Sequence, residues 1–348
     1  MARSTLQDHN PQYLRKPSAP GLWLRSAQPV VYVVVLLVVL AAAFGTKLRL
    51  RGVFACPASY GSTAYLSDCN GSSYGDYDHG AFWYGLEPEA QRAASNARVI
   101  VLGNSRTQFG FSSPVTVRWF EQRSIPFYLL GFSHYESVTF VTPILAKVQP
   151  HARAYVINAD RFFAEWLSPT SHRIFYERDA RARYDEKQFW QRPHKAMCSI
   201  APLLCGRELA VYRNVANGTW FTSGVLPNDP SGVADGGASD VERWPRYIEL
   251  AREFVGRLKV DRECIVLTIV PTKDTKRVEA QAIADALGVS FIAPRVEGLT
   301  TFDGSHLDVK SAALWSAAFL DAAGPVLQRC AGSDAAADAS SGARANQE

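Results

Sequence analysis

Three residues that could together perform acyl transfer stand out in the chain: Ser105, His306 and Asp303. Asp303 and His306 fall in Thr301-Phe302-Asp303-Gly304-Ser305-His306-Leu307-Asp308, three residues apart and just ahead of a helix-like stretch. At that spacing a turn lets the carboxylate reach one imidazole nitrogen while the other stays free to take a proton. Ser105 follows Val99-Ile100-Val101-Leu102-Gly103-Asn104, an apolar strand closed by a glycine, and sits where the strand turns into a helix. A serine hydroxyl is a weak nucleophile at neutral pH, so it needs a base, and the base needs a third group to hold its useful tautomer. The expected roles are nucleophile for Ser105, base for His306 and orienter for Asp303. The oxyanion formed on attack needs fixed donors. The expected donors are the Ser105 backbone N–H, Gly131 at the end of a second apolar run, and the Asn158 amide at the end of a third. Taken singly each piece is ordinary, since Asp-x-x-His also caps helices and asparagine also forms turns. Their conjunction at strand ends and helix starts is what points to a site.

Those residues need a scaffold that brings distant loops together. Apolar runs at 98–103, 126–131, 152–158, 264–270 and 289–292 alternate with helical patterns starting near Ser113 and spanning 134–148, 242–259, 275–287 and 308–328. Strands alternating with helices predict an α/β fold with a parallel sheet of about five strands in a three-layer α/β/α sandwich. Residues 98–330 are expected to form this domain, with 161–241 as an insertion that breaks the rhythm. The insertion carries Trp166, Trp190 and Trp220, which could line a sugar groove but are more often core packing. His134 and Glu136 follow the Gly131 turn and are assigned to capping or packing. Residues 47–97, rich in Gly, Ser, Tyr and Asp, read as an irregular stalk. Its Asp and His residues, Asp68 to His79 among them, lack regular ligand spacing and are expected as exposed turn residues, so no metal site and no cofactor are expected. Residues 1–26 and 331–348 read as disordered.

Residues 27–46 form an uncharged apolar stretch about as long as a helix needs to cross ~30 Å of hydrocarbon. The expected reading is a single transmembrane anchor, because the polar stretch before it is long for a signal peptide. A cleaved signal peptide is the rival, with Ala41 and Ala43 as small-residue cleavage positions. Arg3, Arg15, Lys16 and Arg25 precede the span and Lys47, Arg49 and Arg51 follow it, so charge bias scarcely sets orientation. All six cysteines lie after the span, and Cys56 with Cys69 and Cys198 with Cys205 are close enough in sequence to form disulfides. On that ground residues 1–26 are expected in the cytoplasm and everything after the span outside it. Buried unpaired thiols remain an alternative for either pair, and weigh more for Cys264 with Cys330. A formal net charge of +4 on 348 residues gives no case for nucleic-acid binding, and no zinc-ligand spacing, phosphate loop or dinucleotide fingerprint is present.

The pattern resembles the SGNH (GDSL-type) hydrolase superfamily, and most closely its membrane-anchored periplasmic members associated with O-acetylation of cell-envelope polysaccharides. Gly103-Asn104-Ser105 corresponds to the first block, Gly131 to the second, Asn158-Ala159-Asp160 to the third, and Asp303 with His306 to the last. The resemblance covers 98–160 and 262–320 and implies a flavodoxin-like sheet, a Ser-His-Asp triad and an oxyanion hole of Ser105, Gly131 and Asn158. It further implies a serine acyl-esterase or O-acyltransferase in the inner membrane, with its catalytic domain in the periplasm. Such a protein would act on a carbohydrate or acylated glycan, alone or beside a membrane-bound acyltransferase. The chain departs from the family at Asn104, where the family has Asp, and in the third block, where Gly-x-Asn-Asp is usual. If Asp160 stood at the donor position its carboxylate would repel an oxyanion. A catalytically degenerate protein that binds polysaccharide or docks a membrane partner is the alternative.

Overall fold

The computed structural model describes residues 29–50, 52–58, 61–70, 75–237 and 241–332. The expected disordered segment 1–26 and residues 333–348 of the expected tail lie outside the described residues. The chain divides into two units, of which the first contains a single described helix, α1 (Pro29–Leu50). Its span Pro29–Leu48 is uninterrupted by polar side chains apart from Tyr32 and Thr46 until Lys47, and it is long and apolar enough to cross a membrane.

The second unit begins with β1 (Ala64–Cys69), α2 (Tyr77–Tyr84), α3 (Pro88–Asn96) and β2 (Val99–Asn104). It continues with α4 (Ser105–Phe111), α5 (Pro114–Glu121), β3 (Phe127–Phe132), α6 (Val138–Val148) and β4 (Ala154–Asn158). Then come α7 (Pro169–Tyr176), α8 (Ala180–Ile200), β5 (Ala210–Asn214), β6 (Trp220–Ser223) and β7 (Ser231–Gly232). The last elements are α9 (Trp244–Arg257), β8 (Ile265–Thr268), α10 (Arg277–Leu287), β9 (Ser290–Phe291), β10 (Thr300–Thr301) and α11 (Val309–Ala331).

Five strands form a parallel sheet in the order β3-β2-β4-β8-β9, with Val99 opposite both Phe127 and Ala154. The strands read as unbroken apolar runs because both faces are covered. Val101, Leu129, Val156 and Val266 pack under Phe111, Phe120, Trp315 and Phe319 of α4, α5 and α11. Ile100, Leu130, Ile157 and Leu267 pack under Phe82, Ile144, Phe254 and Ile283 of α2, α6, α9 and α10. The chain leaves β2 toward β3 on one side and returns past it to β4 on the other. Loops at the carboxyl ends of β2 and β4 therefore diverge and open a crevice between them.

The described residues of the expected irregular stalk 47–97 instead hold β1, α2 and α3. Tyr77, Phe82, Ala90 and Ala94 are buried in the same core as the sheet, and that burial overrides the loop-like composition. Asp78 and His79 are likewise buried, not exposed. The insertion supplies the reason. β5 lies between β1 and β6 in an antiparallel sheet, and it carries the fully buried Arg213. Arg213 pairs with Asp78 at 2.6 Å and donates to the Leu129 and Gly131 carbonyls, which closes the open edge of β3.

Three disulfides join Cys56 to Cys69, Cys198 to Cys205 and Cys264 to Cys330. The third joins the two cysteines for which unpaired thiols weigh more in the sequence. α11 packs back along the sheet until its last turn reaches the segment before β8, leaving the two Cα atoms 5.7 Å apart.

Candidate active site

The carboxyl end of β2 delivers Ser105 as the first residue of α4. Asn104 caps that helix, its Oδ1 accepting from Arg106 N–H at 3.0 Å. The Asp303–His306 turn meets it from the far end of the chain. Asp303 Oδ1 accepts from the backbone N–H groups of Ser305 (2.9 Å) and His306 (2.8 Å), so the carboxylate folds its own loop. Gly304 takes φ 76°, a left-handed value that glycine accepts at no steric cost, and its N–H donates to Thr301 Oγ1 at 3.0 Å. Asp303 Oδ2 is then left to accept from His306 Nδ1 at 2.7 Å. A carboxylate can only accept, so Nδ1 carries the ring proton and Nε2 accepts from Ser105 Oγ–H at 2.9 Å. Ser105, His306 and Asp303 thus form one continuous hydrogen-bonded chain across a sequence separation of 201 residues.

His306 and Asp303 are 19% and 23% exposed, open enough for a substrate to reach. Partial burial raises the Asp303 carboxyl, but the His306 hydrogen bond and the two backbone donors outweigh it and hold it below the ordinary carboxylate value. The imidazole is framed by Phe109 (ring centroids 4.8 Å) and Phe302 (5.6 Å), and Phe109 meets Trp220 of the insertion at 5.9 Å. Of the three tryptophans named from sequence, Trp220 is therefore the one in this wall.

Two expected oxyanion donors are placed elsewhere. Asn158 is fully buried, its Nδ2 donating to Thr107 Oγ1 at 2.9 Å and its Oδ1 accepting from Val270 N–H at 3.2 Å. Its amide ties α4 and the segment after β8 to β4, and it presents nothing to a substrate. Gly131 lies within β3 opposite Gly103, where an added Cβ would stand 2.9 Å from both the Asn104 carbonyl and Gln108 Cγ. Its lack of a side chain serves the packing of α4 on the strand. Of the three expected donors, the Ser105 N–H at the first turn of α4 keeps a position beside the nucleophile.

Asp160, feared from sequence as a repelling charge, is neutralised. Its Oδ2 accepts from Arg106 Nη1 at 2.8 Å, and the pair is 6% and 4% exposed. Asn104 Nδ2 donates to the Asp160 carbonyl at 3.1 Å and faces its carboxylate at 3.5 Å. An aspartate at 104 would set two carboxylates against each other, so Asn104 and Asp160 compensate one another. Arg106 also reaches across the site, its Nε donating to Ser305 Oγ at 3.0 Å and so pinning the triad turn to α4. Its guanidinium lies 5.2 Å from the Tyr135 ring, with Arg161 4.9 Å from that ring too. Tyr135, His134 and Arg161 all adopt positive φ, concentrating strained backbone at the carboxyl ends of β3 and β4.

Sequence reasoning missed Arg106, Phe109 and Phe302. The signal for Arg106 was the uncompensated Asp160, and for Phe109 its position four residues after Ser105, one helical turn on. His134 and Glu136 stay outside the triad. His134 bonds Asp76, while Glu136 accepts from His79 Nε2 (3.0 Å) and from Ser168 and Ser171 at the start of α7. Among the described residues no cluster of His, Cys, Asp and Glu could hold a metal.

A serine hydroxyl polarised by an oriented imidazole can take an acyl group from an ester and pass it to water or another hydroxyl. Comparison with protein-family models, with curated proteins and with solved structures finds no match in any of the three.

Proposed function

We propose that the chain is a membrane-anchored, extracytoplasmic serine acyl-esterase or O-acyltransferase of the SGNH type, acting on acyl esters of cell-envelope polysaccharide. The observation that carries this reading is the chain Ser105 Oγ–His306–Asp303 at the crevice between β2 and β4. Ser105 attacks the acyl carbonyl, His306 takes its proton and returns it to the leaving hydroxyl, and Asp303 holds the ring. The strand order, with its switch point at the site, supports a flavodoxin-like SGNH sheet. The three disulfides support a location in an oxidising compartment, and α1 supports an anchor in the inner membrane. Tethering to the membrane would raise the local concentration of a glycan or of a membrane-delivered acyl donor.

One observation favours a second reading. With Asn158 sealed in the core, the site has lost a side-chain oxyanion donor, as a degenerate protein that binds polysaccharide or docks a membrane acyltransferase would. Turnover separates the two. The purified full chain should hydrolyse short acetyl esters or acetylated glycan, and Ser105→Ala should remove that activity with the unfolding profile unchanged. No turnover by the intact chain on any acetyl ester or glycan acceptor would favour the second reading.

A further inference from the structure

We propose that the disulfide-closed tip at Cys198–Cys205, with the end of α8, dips into the interface of the bilayer that α1 crosses. This rests on the anchoring part of the reading above and is independent of its chemistry.

The tip is apolar and bare. Ile200, Leu203 and Leu204 are 83%, 99% and 64% exposed. Phe189 and Met197 continue the patch along one stripe of α8, at separations of eight and three residues from each other and from Ile200. Contiguous exposed apolar surface of this kind marks an interaction site, whereas scattered apolar residues do not. The Cys198–Cys205 bond closes the tip, so little further ordering is needed when it meets a partner.

The occupant follows from where the tip is fastened. Gly206 N–H donates to the Phe54 carbonyl at 2.7 Å, and Glu208 N–H donates to the Ala55 carbonyl at 3.2 Å. His194 Nε2 bonds the Cys56 carbonyl at 2.9 Å. The approach is so close that a Cβ on Gly206 would stand 2.1 Å from the Ala55 carbonyl oxygen. Phe54 comes six residues after Leu48, where the apolar span ends. Six residues of fully extended chain reach at most ~21 Å. That bound on Phe54, to which the tip is bonded, comes from covalent connection alone, and lipid is the one partner that an anchored chain always has near the end of its span. Arg192 and Arg207, both exposed, flank the tip. Such side chains keep their charge among headgroup phosphates while apolar neighbours enter the acyl boundary.

The test uses tryptophan substitutions in the full chain, reconstituted in phosphatidylethanolamine and phosphatidylglycerol vesicles with or without acyl-chain bromination. Leu203→Trp reports on the tip, and Val278→Trp, 70% exposed on α10, serves as a reference. Both should float with the vesicles. Bromination should quench the added emission of Leu203→Trp roughly twofold or more, the depth expected of an interfacial segment, and leave that of Val278→Trp unchanged. Flotation with equal quenching at the two positions would overturn the inference, leave the anchor standing and assign the patch to a protein partner. Failure to float would overturn the anchor and the inference together.

Discussion

Replacing Asp160 by alanine should destabilise the second unit strongly, because it strands a buried guanidinium. Arg106 and Asp160 are 6% and 4% exposed and meet at 2.8 Å, so neither charge has much water to fall back on. The nearest remaining carboxylate is Asp274 at 3.8 Å, and it is 45% exposed, which weakens what it can return. Removing one partner of a buried pair costs about 3–5 kcal/mol, and partial re-pairing with Asp274 puts Asp160→Ala near the lower end, about 3 kcal/mol. For a unit that runs from Arg51 to Glu348 that lowers Tm by about 5 °C. Asp160→Asn keeps an acceptor for Arg106 and should lose less, about 1–2 kcal/mol. Removing both charges with Arg106→Leu/Asp160→Leu should recover part of the loss, giving a coupling energy of about 2 kcal/mol in the cycle with the single Leu variants. The assay is thermal unfolding of the full chain in mild detergent. Asp160→Ala within about 0.5 kcal/mol of the parent, or an additive cycle, would refute the claim that this pair locks the site.

Asn158→Ala should behave as a structural lesion, costing about 1–3 kcal/mol through the orphaned Thr107 hydroxyl and Val270 N–H. Its turnover at temperatures where it stays folded should not show the roughly 10²–10³-fold fall expected on losing an oxyanion donor. Replacing Cys264 and Cys330 by serine should cost roughly 4 kcal/mol in the loop-entropy account, against roughly 2 kcal/mol for Cys198 and Cys205, since the sequence separations are 66 and 7. Denaturant titrations of the two double variants check the order. The hydrogen bond to Asp76 raises the His134 pKa against the opposing pull of burial. A raised histidine contributes stability that is full below its unfolded value of about 6.5 and is lost as pH rises through the folded value. The stability gap between the parent and His134→Gln should therefore shrink on raising the pH above ~6.5, and a widening gap would reverse the assignment.

How much of this was legible in the sequence depended on whether the determining contacts are local. The five strands could be read because burial on both faces writes each as an unbroken apolar run, as in Phe127–Phe132. The Asp303–His306 turn could be read because its carboxylate, its glycine and its imidazole lie within four residues and build their own hydrogen bonds. Asn158 could not, since the direction of its amide is set by Thr107 on one side and Val270 on the other. The burial of Asp78 in α2 depends on Arg213, which lies 135 residues away, and no local pattern announces it. Cys264 and Cys330 likewise meet only because α11 returns along the sheet.

The central claim is that Ser105 is a nucleophile activated by His306. Reaction of the full chain with a serine-directed fluorophosphonate, read by intact-mass and peptide mass spectrometry, tests it most directly. A single adduct is expected on Ser105, disappearing in Ser105→Ala and forming far more slowly in His306→Ala. Absence of an adduct on Ser105 in the folded chain, or labelling at the same rate without the imidazole, would contradict it.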